Sequence, residues 1–290
     1  SQPPRLVRWR PAAQPPRAGL VSQMSLLPIC EPAMTSTADT NLKYQDYTAG
    51  PLPMSPEHKF LFDLNGWVCI TGVLTEDEVA PIREHVKRLK DDPQSIDPTE
   101  RYAHAGPGQV LLDHPAVVGV LNEILEPSRP DAYGFRCEGA FSVVRPFGVE
   151  DKQLPHHGPK NGPFLYRYER DRIYAGLTRV VWELNEVREG DHATGFLSGS
   201  HKMNLPIPDS LRTIDSPLLS TYTCPPGSLI FFSESTIHAG MVWRNRNHPR
   251  VAILYAYSSA VAQWHKLNLP RDIIEAMPEK RSPHFRGAWG

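Results

Sequence analysis

Three histidines and one arginine stand out by type and position. His156 and His157 lie side by side in Leu154-Pro-His-His-Gly-Pro159, and His238 closes the run Phe231-Phe-Ser-Glu-Ser-Thr-Ile-His238 at the end of an apolar stretch. Arg250 opens the next apolar stretch, twelve residues on. Imidazoles brought together from two strand ends suit a redox-active ion such as Fe(II), which needs open positions beside its ligands for a co-substrate and O₂. A dicarboxylate that chelates such an ion at one end needs a fixed cation at the other, and a guanidinium can grip a carboxylate bidentately. Taken singly, each residue also has an ordinary reading, the histidine as a structural strand-end residue and the arginine as a solvated or rim-paired one. Eight other histidines, His58, His85, His104, His114, His192, His248, His265 and His284, show no partner pattern and read as surface or hydrogen-bonded residues.

Imidazoles so far apart along the chain meet only if secondary structure carries them. Residues 67–74 are apolar and β-branched and predict a strand, and Thr75-Glu-Asp-Glu78 predicts a capping box opening a helix. Val79, Ile82, Val86 and Leu89 give that helix one buried face, while Pro81 predicts distorted first turns. A second helix is expected with Asp113 as cap, Pro115 in its first turn, Val117, Val118, Leu121 and Ile124 on one face, and Pro127 as stop. From about residue 140 the texture becomes strand-like, at 141–144, 174–184, 221–224, 228–232 and 250–258, with turn residues between. Short strands without alternating helices predict an antiparallel sandwich or jelly roll, so the chain reads as mainly β with N-terminal helices as a buttress.

Composition bounds the rest. The chain has 290 residues, 31 Lys and Arg against 32 Asp and Glu, and 40% hydrophobic residues, ordinary values for a globular protein. With a net charge of −1, no overall field exists to hold nucleic acid. No apolar run reaches the length of a membrane span, and four dispersed cysteines without a C-x-x-C pair fit a reducing compartment. The expectation is therefore a cytoplasmic protein with a small-molecule substrate and neither nucleic acid nor membrane as partner. Residues 1–54 are expected to be disordered or extended, ahead of a single domain at 55–290. The first thirty hold four arginines, six prolines and no acid. That resembles a mitochondrial presequence in composition, but Pro11, Pro15 and Pro16 oppose the amphipathic helix such a leader needs.

Gly195-Phe-Leu-Ser-Gly-Ser-His-Lys202, Pro225-Pro-Gly-Ser-Leu-Ile-Phe-Phe232, His238 and Arg250 form an ordered series. In this series the chain resembles the phytanoyl-CoA dioxygenase family of Fe(II)/2-oxoglutarate oxygenases, over about residues 55 to 265. The resemblance implies a double-stranded β-helix, the jelly roll already expected, with Fe(II) as metal and 2-oxoglutarate as co-substrate. It makes His238 the distal iron ligand and Arg250 the 2-oxoglutarate anchor, with His201 structural and Lys202 at the surface. Ser198 stands where the family often has proline.

One departure is larger. The family's proximal motif is His-x-Asp, whereas His156 is followed at the second position by Gly158 and His157 by Pro159. A subset of similar proteins carries His-Gly in this loop, which points to His157 as the proximal ligand with His156 second. Three readings stay open. Two histidines and a chloride would hold the iron, as in the related non-haem iron halogenases, which the form His156-His-Gly158 matches. A carboxylate from elsewhere, Glu150, Asp151, Glu183 or Asp191, would reach the metal. Or the metal site is degenerate and the chain is a non-catalytic jelly-roll binding protein. Hydroxylation of a small organic substrate is the first expectation, and halogenation the second. Around the barrel mouth, Tyr166, Tyr168, Tyr174 and Trp182 are candidate pocket residues, and Arg145, Arg167, Arg170, Arg172 and Arg179 make the middle of the chain locally basic.

Overall fold

The computed structural model describes residues 53–128, 133–149, 153–267 and 269–288, and within these the helices precede most of the strands. The segment expected to be disordered lies outside them except for residues 53 and 54. Helix α1 (Pro56–Asn65) is capped by the Ser55 hydroxyl, which accepts the His58 N–H at 3.1 Å, and stops at Gly66 in the left-handed region, φ +81°. Strand β1 (Trp67–Ile70) follows, half the expected length. Helix α2 (Glu76–Asp91) opens on the expected capping box, with the Glu78 carboxylate accepting the Thr75 N–H at 2.8 Å. It runs unbroken across Pro81, against the expectation of a disturbed start. In α3 (Pro115–Ile124) the cap is His114, whose Nδ1 accepts the Ala116 N–H at 3.2 Å. Asp113, expected in that role, instead accepts the Arg281 Nε at 2.7 Å and pairs with Lys280 at 3.0 Å.

The remaining elements are β2 (Phe135–Arg145), β3 (Arg167–Glu169), β4 (Arg172–Tyr174), β5 (Thr178–Glu183), β6 (Thr194–Leu197), β7 (Ser228–Ser233), β8 (Ile237–Gly240), β9 (Arg250–Ser259) and the short α4 (Arg271–Glu275). Five strands pair antiparallel in the order β1-β7-β5-β9-β2. A smaller sheet pairs β6 with β8, and bridges from His156 to His238 and from Phe196 to Ser220 add a row on each side. The expected strand at 221–224 reduces to one bridge, Cys224 opposite Val187, and the expected strand at 174–184 divides into β4 and β5 around Gly176, φ +70°. The architecture is mainly β with N-terminal helices, as expected. No helix among the described residues is long and apolar enough to cross a membrane.

The large sheet is apolar on both faces, and its side chains sort by the two-residue period of a strand. Val180 and Trp182 of β5, Leu229 and Phe231 of β7, and Val251, Ile253, Tyr255 and Tyr257 of β9 pack with the helices. Their neighbours Val181, Ile230, Phe232, Ala252 and Leu254 pack with Phe196 and Trp243 in the second apolar layer. A register shift between Cys137 and Gly139 inverts this phase within β2. Before it, Phe135 and Cys137 face the helix layer; after it, Phe141, Val143 and Arg145 line a cavity. Without the bulge the same odd-numbered side chains would point into the helices.

Several histidines expected at the surface or in hydrogen bonds are core residues, although His114 is hydrogen-bonded as expected. His58, His85, His104, His114 and His284 are buried, and burial pushes His104, His114 and His284 down to about 4, so they are neutral. Aromatic packing accommodates them: His284 stacks on Tyr133 at 4.0 Å between centroids, and His104 meets Phe285 edge-on at 5.7 Å.

Gly66 joins the helical layer to the small sheet. Its carbonyl accepts the Thr236 hydroxyl at 3.0 Å, and a Cβ at this position would come within 2.3 Å of that hydroxyl and 2.5 Å of His201 Nδ1. Gly66→Ala is therefore expected to destabilise the fold by roughly 2 to 4 kcal/mol, combining a positive-φ penalty with overpacking. Urea unfolding checks this, and a change below about 0.5 kcal/mol, the range of an inert surface substitution, would contradict it.

Candidate functional site

The cavity between the two sheets has a volume of about 500 Å³ and is lined by side chains from β2, β5, β7, β8 and β9 and from the segment around residues 153–159. Two of the imidazoles that line it, His156 and His238, lie together. His156 and His238 exchange backbone hydrogen bonds, His156 N–H to His238 O at 3.0 Å and His238 N–H to His156 O at 2.8 Å. Directly opposed residues of an antiparallel pair point their side chains to one face. Their ring centroids are accordingly 4.5 Å apart.

Each ring is oriented through its Nδ1, which lies 2.9 Å from Leu154 O in His156 and 2.8 Å from Thr236 O in His238. A carbonyl can only accept, so Nδ1 carries the proton in both and the lone pair is on Nε2. This backbone bracing is the pattern of metal-ligating histidines. Burial holds His238 below the ordinary imidazole value, although Glu234 opposes the shift, so the ring is neutral. The ring that meets His238 thus belongs to His156, not to His157 as expected. His157 is one residue further along an extended segment, on the other side of it, and its ring is exposed with Nδ1 2.6 Å from the Gly158 carbonyl. It contributes only to the cavity lining.

Arg250 lies where the cavity floor meets β9, and it is already held. Its Nε and one terminal nitrogen donate to Glu183 Oε1 at 3.0 and 2.5 Å, and the same terminal nitrogen reaches the Thr194 hydroxyl at 2.9 Å and Tyr222 Oη at 3.2 Å. Burial works against the Arg250 charge, and the Glu183 carboxylate more than offsets this, so the guanidinium is held firmly protonated. Thr194 of β6 lies opposite Gly240 of β8, two residues from His238 on the same face. At the usual rise per residue, that places the arginine's tether roughly 7 Å along the strand from the imidazole pair.

Of the expected carboxylates, Glu150 and Asp151 lie outside the described residues. Glu183 is committed to Arg250 and Tyr222, and Asp191 to the Arg188 N–H at 2.8 Å and the Asn245 amide at 3.0 Å. The acid that reaches the imidazoles is Glu234, in the turn between β7 and β8. It is 5% exposed, Oε1 accepts from Arg179 Nε, and Oε2 is 3.9 Å from His238 Nε2. Burial raises this carboxyl, but His238 and Arg179 together outweigh it and keep it below its usual range. Its signal in the sequence was an acid four residues before His238 at a corner between two strands. Among the described residues, no group of three His, Cys, Asp or Glu side chains is closed on a metal-sized point. Two atoms each about 2.1 Å from one ion stand roughly 3 to 4 Å apart, and 3.9 Å is at the outer edge of that range.

The cavity aromatics are Phe141, Phe232 and Trp264. The expected ones are elsewhere: Trp182 is fully buried on the helix side, Tyr166 packs there with its hydroxyl on Asp63, and Tyr168 is exposed on β3. Arg145 and Arg179 line the cavity, whereas Arg167 and Arg172 belong to the β3–β4 hairpin, with Arg170 in its turn. His201 is buried as expected, its Nε2 3.0 Å from Asp63 O, and Lys202 pairs with Asp63 at 2.7 Å.

Comparison with models of protein families gives no match, and comparison with curated proteins by sequence gives none. Solved structures do match in shape. Apo HygX from Streptomyces hygroscopicus superposes with a TM-score of 0.60 at 17% identity, covering 77% of this chain and 94% of that one. HygX with nickel, 2-oxoglutarate and hygromycin B bound gives 0.59 at 19% identity, covering 76% and 94%. The nickel complex of ThoJ, a non-heme monooxygenase, gives 0.50 at 16% identity, covering 69% and 76%. These likenesses establish a shared fold.

One wall of the cavity hangs on Glu138, at the β2 bulge. This buried carboxylate accepts the backbone N–H groups of Trp264 at 3.0 Å and His265 at 2.6 Å and the Ser258 hydroxyl at 2.6 Å, and pairs with Arg136 at 3.0 Å. Burial alone would raise it, but the hydrogen bonds from His265, Ser258 and Trp264 prevail and pull it down to about 2. A depressed carboxyl stabilises the fold fully above its unfolded value and loses that contribution as pH falls through the folded one. The thermal-stability gap between the wild type and Glu138→Gln is expected to be complete above about pH 4.5 and to close as pH falls toward about 2. A gap independent of pH over that interval would contradict it.

Proposed function

We propose that the chain is an Fe(II)/2-oxoglutarate-dependent oxygenase of the double-stranded β-helix type, similar to the phytanoyl-CoA dioxygenase family, that hydroxylates a small organic substrate. The observation that carries this reading is the His156–His238 pair, two imidazoles with backbone-braced Nδ1 atoms in one cavity. The donor set fits Fe(II), which suits imidazole and carboxylate ligands with open positions beside them. HygX, of like fold, has been crystallised with iron and with nickel and 2-oxoglutarate, which supports the same pair of groups here.

Fe(II) bound there would supply O₂ activation coupled to oxidative decarboxylation of 2-oxoglutarate. The chain's own part is positioning. The Leu154 and Thr236 carbonyls fix the imidazole tautomers, so both ligand nitrogens present without a reorganisation cost. Arg250 supplies the cation for the far carboxylate of the co-substrate, but Glu183 holds its Nε side, leaving the other terminal nitrogen for the incoming group. Phe141, Phe232, Leu254 and Trp264 offer an apolar surface to the substrate. The halogenase reading loses ground, because the room beside Gly158 is filled: a Cβ there would lie 2.8 Å from Glu234 Cβ.

Anaerobic titration with Fe(II) and 2-oxoglutarate, followed by charge-transfer absorption, tests the proposal. The wild type is expected to show the band. His156→Ala and His238→Ala are expected to weaken metal binding by more than roughly 100-fold, exceeding what loss of an outer partner costs. His157→Ala is expected to bind within about threefold of wild type, far short of any such loss. Absence of the band in the wild type would leave a non-catalytic binding protein as the better account, and equal loss in His157→Ala would reassign the ligand.

A further inference from the structure

Resting on that reading, the geometry points to Glu234 as the carboxylate ligand of the ion, supplied from the β7–β8 turn in place of the acid that a His-x-Asp motif would carry at position 158. Four observations converge. First, the segment from His156 to Gly158 continues the ladder beside β8: His156 bridges His238, and the Gly158 N–H donates to Glu234 O at 2.6 Å. With a two-residue period, His156 and Gly158 share a face, and His238 lies across from His156. All three, with Glu234, line the one cavity.

Second, the two positions for an acid exclude each other. A Cβ at residue 158 would stand 2.8 Å from Glu234 Cβ and 2.9 Å from its Oε2. An aspartate there has no place while Glu234 is present, and glycine is what lets Glu234 lie against the site. The missing acid and the added one are a single exchange. Third, Glu234 has one oxygen committed and one aimed. Oε1 accepts from Arg179, and Oε2 lies 3.9 Å from the His238 nitrogen that carries the lone pair. Such partition, with one oxygen on a fixed donor and the other toward the metal, is how an outer partner orients a ligating carboxylate. Fourth, the group is 5% exposed and lines the cavity, so its carboxylate is withheld from bulk solvent and presented to the site.

Chemically, a carboxylate ligand closes the position that a halide would need, so the site is assigned to hydroxylation and not halogen transfer. In the balance of that reaction, O₂ and 2-oxoglutarate give succinate, CO₂ and one oxygen atom inserted into a substrate C–H bond. No chloride enters.

Anaerobic binding of Fe(II) alone, measured by calorimetry on the full chain, tests the assignment. Glu234→Gln, which preserves shape and a partner for Arg179, is expected to weaken Fe(II) binding by at least the roughly 10- to 100-fold that outer partners command. The double variant Gly158→Asp/Glu234→Gly, which moves the acid to the motif position and removes the Cβ that would stand 2.8 Å from it, is expected to recover binding to within about tenfold of wild type. Circular dichroism and thermal unfolding establish that both variants are folded. Wild-type affinity in folded Glu234→Gln, beside lost affinity in His238→Ala, would overturn the assignment while leaving the iron site standing. Loss in Glu234→Gln without recovery in the folded double variant would give Glu234 a structural role only and overturn it too. No Fe(II) binding by the wild type would end both readings together.

Discussion

Two backbone hydrogen bonds between His156 and His238 set the register on which the cavity depends. They join a segment from the loop after β2 to a strand reached more than eighty residues later, and in doing so set a register. A strand has a side-chain period of two, so one register decides every neighbour: His156 inward, His157 outward, Gly158 against Glu234. A slip by one residue would exchange the two histidines and move Gly158 away from Glu234. The small sheet is therefore less a covering layer than a ruler for the cavity.

The sheets also hold a set of buried or part-buried charges, each with a named opposite. Arg250 faces Glu183, Arg136 faces Glu138, and Arg179 faces Glu234. Pairs of this kind are poor sources of stability, because desolvating two ions offsets most of their attraction. They are strong sources of definition: deleting one member leaves a charge in an apolar interior. Glu183 shows the economy of the arrangement, since it holds Arg250 and the Tyr222 hydroxyl together and ties the large sheet to residues of the smaller sheet's side. Apolar layers flank the large sheet on both faces, so the Arg250–Glu183 pair lies in a low-dielectric surrounding.

Much of this was legible in the residues. The capping box at Thr75–Glu78 and the β-branched runs that became β5, β7 and β9 follow from local chemistry, which acts over a few neighbours, whereas His238, expected to end the β7 strand, lies inside the separate strand β8. What was not legible depends on contacts between distant segments. His114 displaced Asp113 as cap because Arg281 and Lys280 claim that acid from the far end of the chain. Trp182 reads as a cavity aromatic only until the sheet's phase is known, and the phase of β2 turns on one bulge at Gly139. The choice between His156 and His157, and the part of Glu234, rest on the register of a single bridge that no local preference encodes.

The central claim is that His156 and His238 direct their Nε2 atoms at one ion. X-ray absorption at the iron edge of the anaerobically Fe(II)-loaded protein measures this most directly, through the outer-shell scattering peculiar to imidazole rings. The account predicts a first shell of nitrogen and oxygen with two imidazoles, falling to one when His156 is replaced by alanine. A spectrum with one imidazole or none in the wild type would contradict it.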